Sequence, residues 1–225
     1  EGVKYILQDI PAVLAKSNQA LATLTKYRTR LDELSSRLTR AEFVGGAVLY
    51  DALMVLQRSE LVSRMATEVE RYVIELGTEG RLIEMQLEET MVGVASERLA
   101  LMRDYAVEDT EENVQFMLEE LAALPHQDVL DFGRLAELLG YDRKVNTLDL
   151  ATEPRGYRML GHVPRLPRLV VQKIVMNFGS VETALAASDE ELAAVDGVGP
   201  ARAKEIREGV RRLQESVMAD RFLNT

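Results

Sequence analysis

Through the first two thirds of the chain, apolar residues return every three, four or seven positions. Leu7, Ile10, Leu14, Leu21, Leu24, Leu31, Leu34 and Leu38 are separated by polar residues such as Lys16, Asn18, Gln19, Lys26, Arg30 and Glu33. This spacing predicts an amphipathic helix of about nine turns, at 3.6 residues each. Pro11 is expected in its first turn, where a missing N–H is harmless, and Gly45-Gly46 ends it. A second helix is predicted from Val48 to Leu76, with Leu49, Leu53, Leu56, Leu61, Met65, Val69, Val73 and Leu76 inward. After the tight connection Thr78-Glu79-Gly80, a third runs through Leu82, Met85, Leu87, Met91, Val94, Leu99 and Met102. Short loops between long helices make antiparallel neighbours. Thr110-Glu111-Glu112-Asn113 opens a shorter helix over Val114–Leu124, with acidic residues at its positive end. Pro125 separates it from another over Asp128–Leu139, closed by Gly140. Tyr141 to Pro154 lacks periodicity and reads as a linker, and Val3–Leu7 reads as a terminal strand. The Leu and Met stripes are bundle core.

The remaining residues repeat. At an offset of 32, Leu160 aligns with Leu192, Val163 with Val195, Leu166 with Val198 and Ile174 with Ile206. Each copy reads helix, short turn, helix. Phe178-Gly179 ends the first copy, Val181–Ala187 forms a short helix, and Ser188-Asp189-Glu190-Glu191 is a capping box opening the next.

Composition narrows the chemistry. With 225 residues the chain can bury a core without staples. The absence of cysteine excludes disulfides, thiolate metal sites and cysteine nucleophiles. No apolar run reaches the ~18–20 residues of a membrane span, so no membrane partner is expected. The net charge of −10 argues against nucleic acid until it is mapped along the chain. Residues 1–150 carry 16 Lys+Arg against 27 Asp+Glu, whereas residues 151–225 carry 11 against 10. A polyanion would therefore be met by the C-terminal part. With 7 Tyr, 5 Phe and no Trp, a base-stacking platform is poorly supplied.

The second copy of the repeat contains Val195-Asp196-Gly197-Val198-Gly199-Pro200-Ala201-Arg202-Ala203. Gly197 permits a turn that a Cβ would obstruct, Val198 plugs the turn into the core, and Gly199 leaves room for close approach from outside. Pro200 suits the first position of a helix over Pro200–Leu213, and the small Ala201 and Ala203 let the helices pack closely. The amides from Gly199 onward then point outward at a positive helix end, which is a phosphate seat. Arg202, Lys204, Arg207, Arg211 and Arg212 add charge. This pattern resembles the helix-hairpin-helix element of proteins that bind DNA without reading sequence, through phosphates rather than base edges. In the first copy, Arg165-Leu166-Pro167-Arg168 stands in place of Gly197-Val198-Gly199-Pro200. Pro167 removes a donor, while Arg165 and Arg168 supply charge on phosphate. The candidate DNA-binding residues are thus Gly197, Val198, Gly199, Ala201, Arg202, Lys204, Arg165, Leu166 and Arg168.

The run from Tyr72-Val73-Ile74-Glu75-Leu76-Gly77 through Thr78-Glu79-Gly80-Arg81-Leu82-Ile83-Glu84-Met85 to Gln86-Leu87-Glu88-Glu89 resembles the helical linker of the DisA family of bacterial DNA-integrity-scanning diadenylate cyclases. Ser17–Leu21, Lys26-Tyr27-Arg28, Pro154-Arg155-Gly156-Tyr157-Arg158 and the tandem hairpins fit the same family. The resemblance implies an all-α chain in three parts: residues 1–7 as the remnant of a cyclase domain, 8–145 as a long-helix linker or spine bundle, and 146–225 as a tandem helix-hairpin-helix DNA-binding domain. It implies a cytoplasmic, nucleoid-associated bacterial protein. Its cyclase domain, with Mg or Mn, condenses two ATP into cyclic di-AMP and assembles into an octamer. Branched, Holliday-junction-like or duplex DNA on the hairpins suppresses that cyclase domain. The family's Asp-Gly-Ala and Arg-His-Arg motifs are absent here, and the two histidines are His126 and His162. No catalytic, cofactor-binding or metal-binding residue is therefore carried over, and the chain reads as a part that begins after the cyclase. A hairpin glycosylase would need a catalytic Asp downstream of the motif, where only Asp220 stands. Glu84, Glu88 and Glu89 read as a solvated face, and His162 as structural. The alternative function is a helical scaffold for protein interaction whose hairpins bind no DNA.

Overall fold

The computed structural model describes residues 2–144 and 146–219, the first eight of these by backbone alone. Its helices are α1 (Gly2–Phe43), α2 (Leu49–Leu76), α3 (Arg81–Met91), α4 (Val94–Tyr105), α5 (Glu111–Ala123), α6 (His126–Val129), α7 (Phe132–Leu138), α8 (Tyr157–Gly161), α9 (Arg168–Phe178), α10 (Val181–Ala186), α11 (Asp189–Ala194) and α12 (Gly199–Ala219). The fold is all-α: among the described residues the only β pairing is an isolated bridge between Val48 and Ala151.

The long helices α1 and α2 form the spine of the bundle, and α3, α4 and α7 pack on α2. Leu21, Leu24, Leu31 and Leu38 of α1 are buried against Leu49, Leu53, Leu56, Val62 and Val69 of α2, which reproduces the heptad-like stripe. A full turn of such leucines contributes roughly 1.5–3 kcal/mol per buried side chain. Thr110 caps α5 by accepting the Asn113 amide, and Asp131 caps α7 by accepting that of Gly133. The residues from Tyr141 onward are tied to the start of α2, where Leu49 and Tyr50 amides donate to the carbonyls of Leu150 and Leu148.

Several local expectations are corrected. Val3–Leu7 is not a strand: the helix already runs from Gly2, so Pro11 lies inside α1 rather than in its first turn. The third helix is two helices, because Gly93 adopts a left-handed φ of 80° between Met91 and Val94. Its inward face is also displaced. Ile83 and Leu87 are buried, whereas Leu82 and Met85 are 67% and 59% exposed. On α2, Val62 rather than Leu61 occupies the core. The predicted helix over Asp128–Leu139 divides into α6 and α7, since Asp131 caps a fresh start.

A second core gathers Leu160, Val163, Ile174, Leu192, Val195, Val198 and Ile206. Seven of the eight aligned repeat positions are buried there, and the eighth, Leu166, packs against them half-buried. The offset of 32 is thus a packing register. Gly209 of α12 lets the two copies approach closely, because a Cβ there would lie 2.8 Å from Val163 Cγ1. Lys173 and Asp196 form an ion pair across the copies.

Candidate nucleic-acid interface and its mounting

The second copy turns at Gly197 and Gly199, with φ of 84° and 64°. Both lie in the left-handed region that side chains rarely adopt. Val198 is buried, and its amide donates to the Val195 carbonyl at 3.0 Å. Outside the glycines the corner is open: a Cβ on Gly199 would meet nothing within 4 Å. Among the described residues, the amides of Gly199 and Ala201 find no hydrogen-bond acceptor. Two unpaired donors therefore stand at the start of the 21-residue helix α12, the electropositive end of its aligned peptides. The Arg202 guanidinium donates to the Gly197 carbonyl, which holds it beside the same corner, and Lys204 is exposed.

The other cations of α12 are less available than their spacing suggests. Arg207 pairs with Asp189, Arg211 with Glu208 and Glu215, and Arg212 with Glu208. Hydrogen bonds from Arg211 and Arg212 hold the Glu208 carboxyl down at about 2. Packing also sorts the alanines differently: Ala203 is buried, whereas Ala201 is exposed at the corner and spaces no helix.

The first copy repeats the turn with different residues. Leu166 donates to Val163 at 3.3 Å, the counterpart of the Val198–Val195 bond. Arg165, at the register position of Gly197, has a φ of 62° and is the only non-glycine residue at positive φ among those described. Pro167 takes an extended conformation and caps α9, so no donor stands where Gly199 does. Arg165 and Arg168 are exposed.

What the first copy does have is a mounting on the spine. The buried Asp104 at the end of α4 accepts the amides of Gly156 and Tyr157, each at 2.7 Å, and of Arg158 at 2.9 Å. These are the orphan donors of α8. Burial pushes the Asp104 carboxyl up to about 7, with the Glu42 charge adding and the Arg158 charge and amides opposing. Arg158 is fully enclosed. Its guanidinium meets Glu42 at 2.7 Å, Glu97 at 3.0 Å and the hydroxyls of Ser35 and Thr39 at 2.8 and 3.2 Å. The Tyr105 hydroxyl donates to the same Glu42 oxygen at 2.7 Å. Arg155 completes the joint by donating to the carbonyls of Arg103, Asp104, Ala106 and Val107 where α4 ends. His162 sits on this joint, 3.3 Å from Glu97. The hydrogen bond with Glu97 raises the imidazole pKa. Burial alone would raise the Glu97 carboxyl, but bonds and charges from His162 and Arg158 hold it at about 2.

Sequence reasoning missed this joint. Arg158 lies 116 residues from Glu42 and 61 from Glu97, so no local spacing betrays it. The one signal was the motif Pro154–Arg158, noticed only as a resemblance. Glu84, Glu88 and Glu89 are exposed along α3, and no group of three or more metal-ligating side chains is found among the described residues. Asp220 lies outside them.

Comparison with known proteins agrees with this architecture. The family model described as the DisA bacterial checkpoint controller linker region matches residues 7–148. The chain is 45% identical over 223 residues to the DNA integrity scanning protein DisA of Frankia alni, covering 99% of this chain and 62% of that protein. Identity to the proteins of the same name from Streptomyces avermitilis and Kineococcus radiotolerans is 44% and 42%, over 99% and 98% of this chain and 60% and 62% of theirs. It thus spans about three fifths of the length of these relatives. No described helix is long and apolar enough to cross a membrane. With the linker matched across the helical spine and the relatives aligned over nearly every residue, the chain belongs to the DisA family.

Proposed function

We propose that this chain is the spine and DNA-binding region of a DNA-integrity-scanning diadenylate cyclase. It binds branched or duplex DNA through phosphates without sequence specificity, and couples the state of that DNA to cyclic di-AMP synthesis by a cyclase portion outside this sequence. The observation that carries the reading is the open corner at Gly197-Val198-Gly199, whose free amides at the start of α12 suit an anionic oxygen. Arg202 and Lys204 beside it, with Arg165 and Arg168 on the first copy, add charge that neutralises phosphate without reading bases. ATP and its Mg or Mn ion belong with the cyclase portion.

The test is titration of a labelled four-way junction and a matched duplex at two salt concentrations. Affinity is expected to fall steeply with salt, as counterion release requires. Gly199→Asp places a carboxylate in the seat and is expected to abolish binding while the circular dichroism stays helical. Undiminished binding by that variant would overturn the reading. Absence of DNA affinity even at low salt would favour the protein-interaction scaffold. Incubation of this chain with ATP and metal is expected to yield no cyclic dinucleotide.

A further inference from the structure

The spine is acidic as a whole, yet one groove on it is cationic. Lys26, Arg30 and Arg37 of α1 and Arg58 of α2 line a groove of about 480 Å³, with Thr29, Leu34 and a single carboxylate, Glu33. The three α1 cations are exposed. Among the described residues, none of the four cations has a carboxylate within ion-pair distance. Arg58 stacks on the Tyr27 ring at 4.9 Å, and its Nε is enclosed without an acceptor. By contrast, in the groove lined by Arg64, Arg71 and Arg98, Glu60 holds both Arg64 and Arg98 at 2.7 Å and leaves only Arg71 without an ion pair among the described residues. Lys26 and Arg30 are a like-charge i,i+4 pair, and the one carboxylate, Glu33, is shared between Arg30 and Arg37 at helical spacing, so the groove keeps an excess of positive charge.

The groove also has a place relative to the hairpins. Arg40, one turn beyond Arg37, donates to the Val217 carbonyl of α12 at 2.9 Å. The helix that begins at the open corner therefore lands on α1 where the cationic row begins. At ~1.5 Å per residue, α12 covers roughly 27 Å from Gly199 to Val217, and Lys26 to Arg37 a further 16 Å or so. With the step across Arg40 included, the near end of the groove lies within about 40 Å of the corner and its far end within about 55 Å, on the order of one to one and a half ~34 Å turns of duplex.

We propose that this groove is a second phosphate-binding surface for nucleic acid, with Lys26, Arg30, Arg37 and Arg58 taking backbone phosphates of the DNA held by the hairpin corner. The inference rests on the DNA reading of that corner. It gives the acidic spine a direct part in gripping a branched or bent DNA, because one arm can follow α12 back to α1.

The test compares variants of the full chain on labelled four-way junction and duplex DNA across a salt series. Lys26→Gln/Arg30→Gln/Arg37→Gln keeps good helix formers at exposed positions. It is expected to weaken binding about ten- to a hundredfold and to reduce the slope of log affinity against log salt by about 2–3. Glu33→Lys is expected to tighten binding severalfold and to steepen the slope by about 1, a gain that a misfolded variant cannot mimic. Unchanged affinity and slope in both variants overturn the proposal. If Gly199→Asp abolishes binding while the groove variants behave as wild type, the hairpin reading stands and the groove proposal falls. If Gly199→Asp is silent and the triple variant loses binding, the hairpin reading falls and the groove stands alone. If ATP binds the unmodified chain and is lost in the triple variant without change in DNA affinity, the groove is a nucleotide site and the proposal is overturned.

Discussion

The two copies of the C-terminal repeat share one apolar register and differ in what their turns do. In the second copy the turn is glycine-lined, open and joined to a 21-residue helix. In the first, the turn is held by an arginine at a φ of 62° and a proline, and the short helix before it is bolted to α4 through Asp104 and Arg158. An internal duplication packs well when its core positions match, which leaves the exposed positions free to diverge. Here the divergence separates fixing from reaching. The copy that is mounted on the spine lacks the donor at its corner, and the copy with donors meets the spine toward the far end of α12, where Arg40 donates to the Val217 carbonyl.

The largest expected effect is on the mounting. Arg158→Ala leaves the enclosed Glu42 without its cation and Glu97 with His162 alone, and breaking a buried pair in this way costs about 3–5 kcal/mol. Urea unfolding followed by circular dichroism is expected to show the loss, whereas Arg211→Ala on the exposed face of α12 leaves the midpoint unmoved. A silent Arg158→Ala would erase the distinction between the two copies. Next comes the corner: Gly199→Asp is expected to weaken junction binding at least a hundredfold, equivalent to about 2.7 kcal/mol, while single Arg165→Ala or Arg168→Ala changes cost only a few-fold. Equal losses at both copies, measured by anisotropy, would show that both grip DNA.

The third expectation is a pH dependence of the joint. Glu97 is depressed to about 2, below its ordinary 4.5, so its contribution is present above pH 4.5 and is lost as pH falls toward 2. Allowing for its partial exposure, that amounts to roughly 2 kcal/mol. His162 is raised above its ordinary 6.5, so its contribution is complete below that value and fades as pH rises through the higher folded value. Thermal melts from pH 3 to 9 check both limbs, and Glu97→Gln is expected to remove the acid limb and weaken the His162 limb while leaving the decline toward pH 7 that the raised Asp104 carboxyl imposes. The smallest effect is Arg165→Gly, which relieves a left-handed side-chain residue and is expected to stabilise the chain by about 0.5–1 kcal/mol.

Much of this molecule was legible because its signals are local. Successive leucines among Leu21, Leu24, Leu31 and Leu38 and the caps at Thr110 and Ser188 each lie within one or two helical turns, and the repeat is a constant offset of 32 that direct alignment exposes; each appears as read. The misreadings arose where a local rule met a longer-range condition. Pro11 marks a helix start only if nothing helical precedes it. Leu82 and Met85 look like core until the break at Gly93 and the packing of α3 turn that face outward. For the candidate site, the glycines and flanking cations were visible, but the carboxylates that neutralise Arg207, Arg211 and Arg212 were not weighed against them. The buried joint was hidden altogether, since an arginine bound for an interior ion cluster has the same letter as one bound for water.

Pro11 has a mechanical consequence. Deep in α1 its ring supplies no N–H to the Leu7 carbonyl, so one rung of the hydrogen-bond ladder is missing about a quarter of the way along a 42-residue rod. Elsewhere the rod is braced by α2 along its flank and clamped at Ser35, Thr39 and Glu42 by Arg158. A helix missing one rung bends more readily there than along a braced length, so Pro11 marks the softest point of this rod.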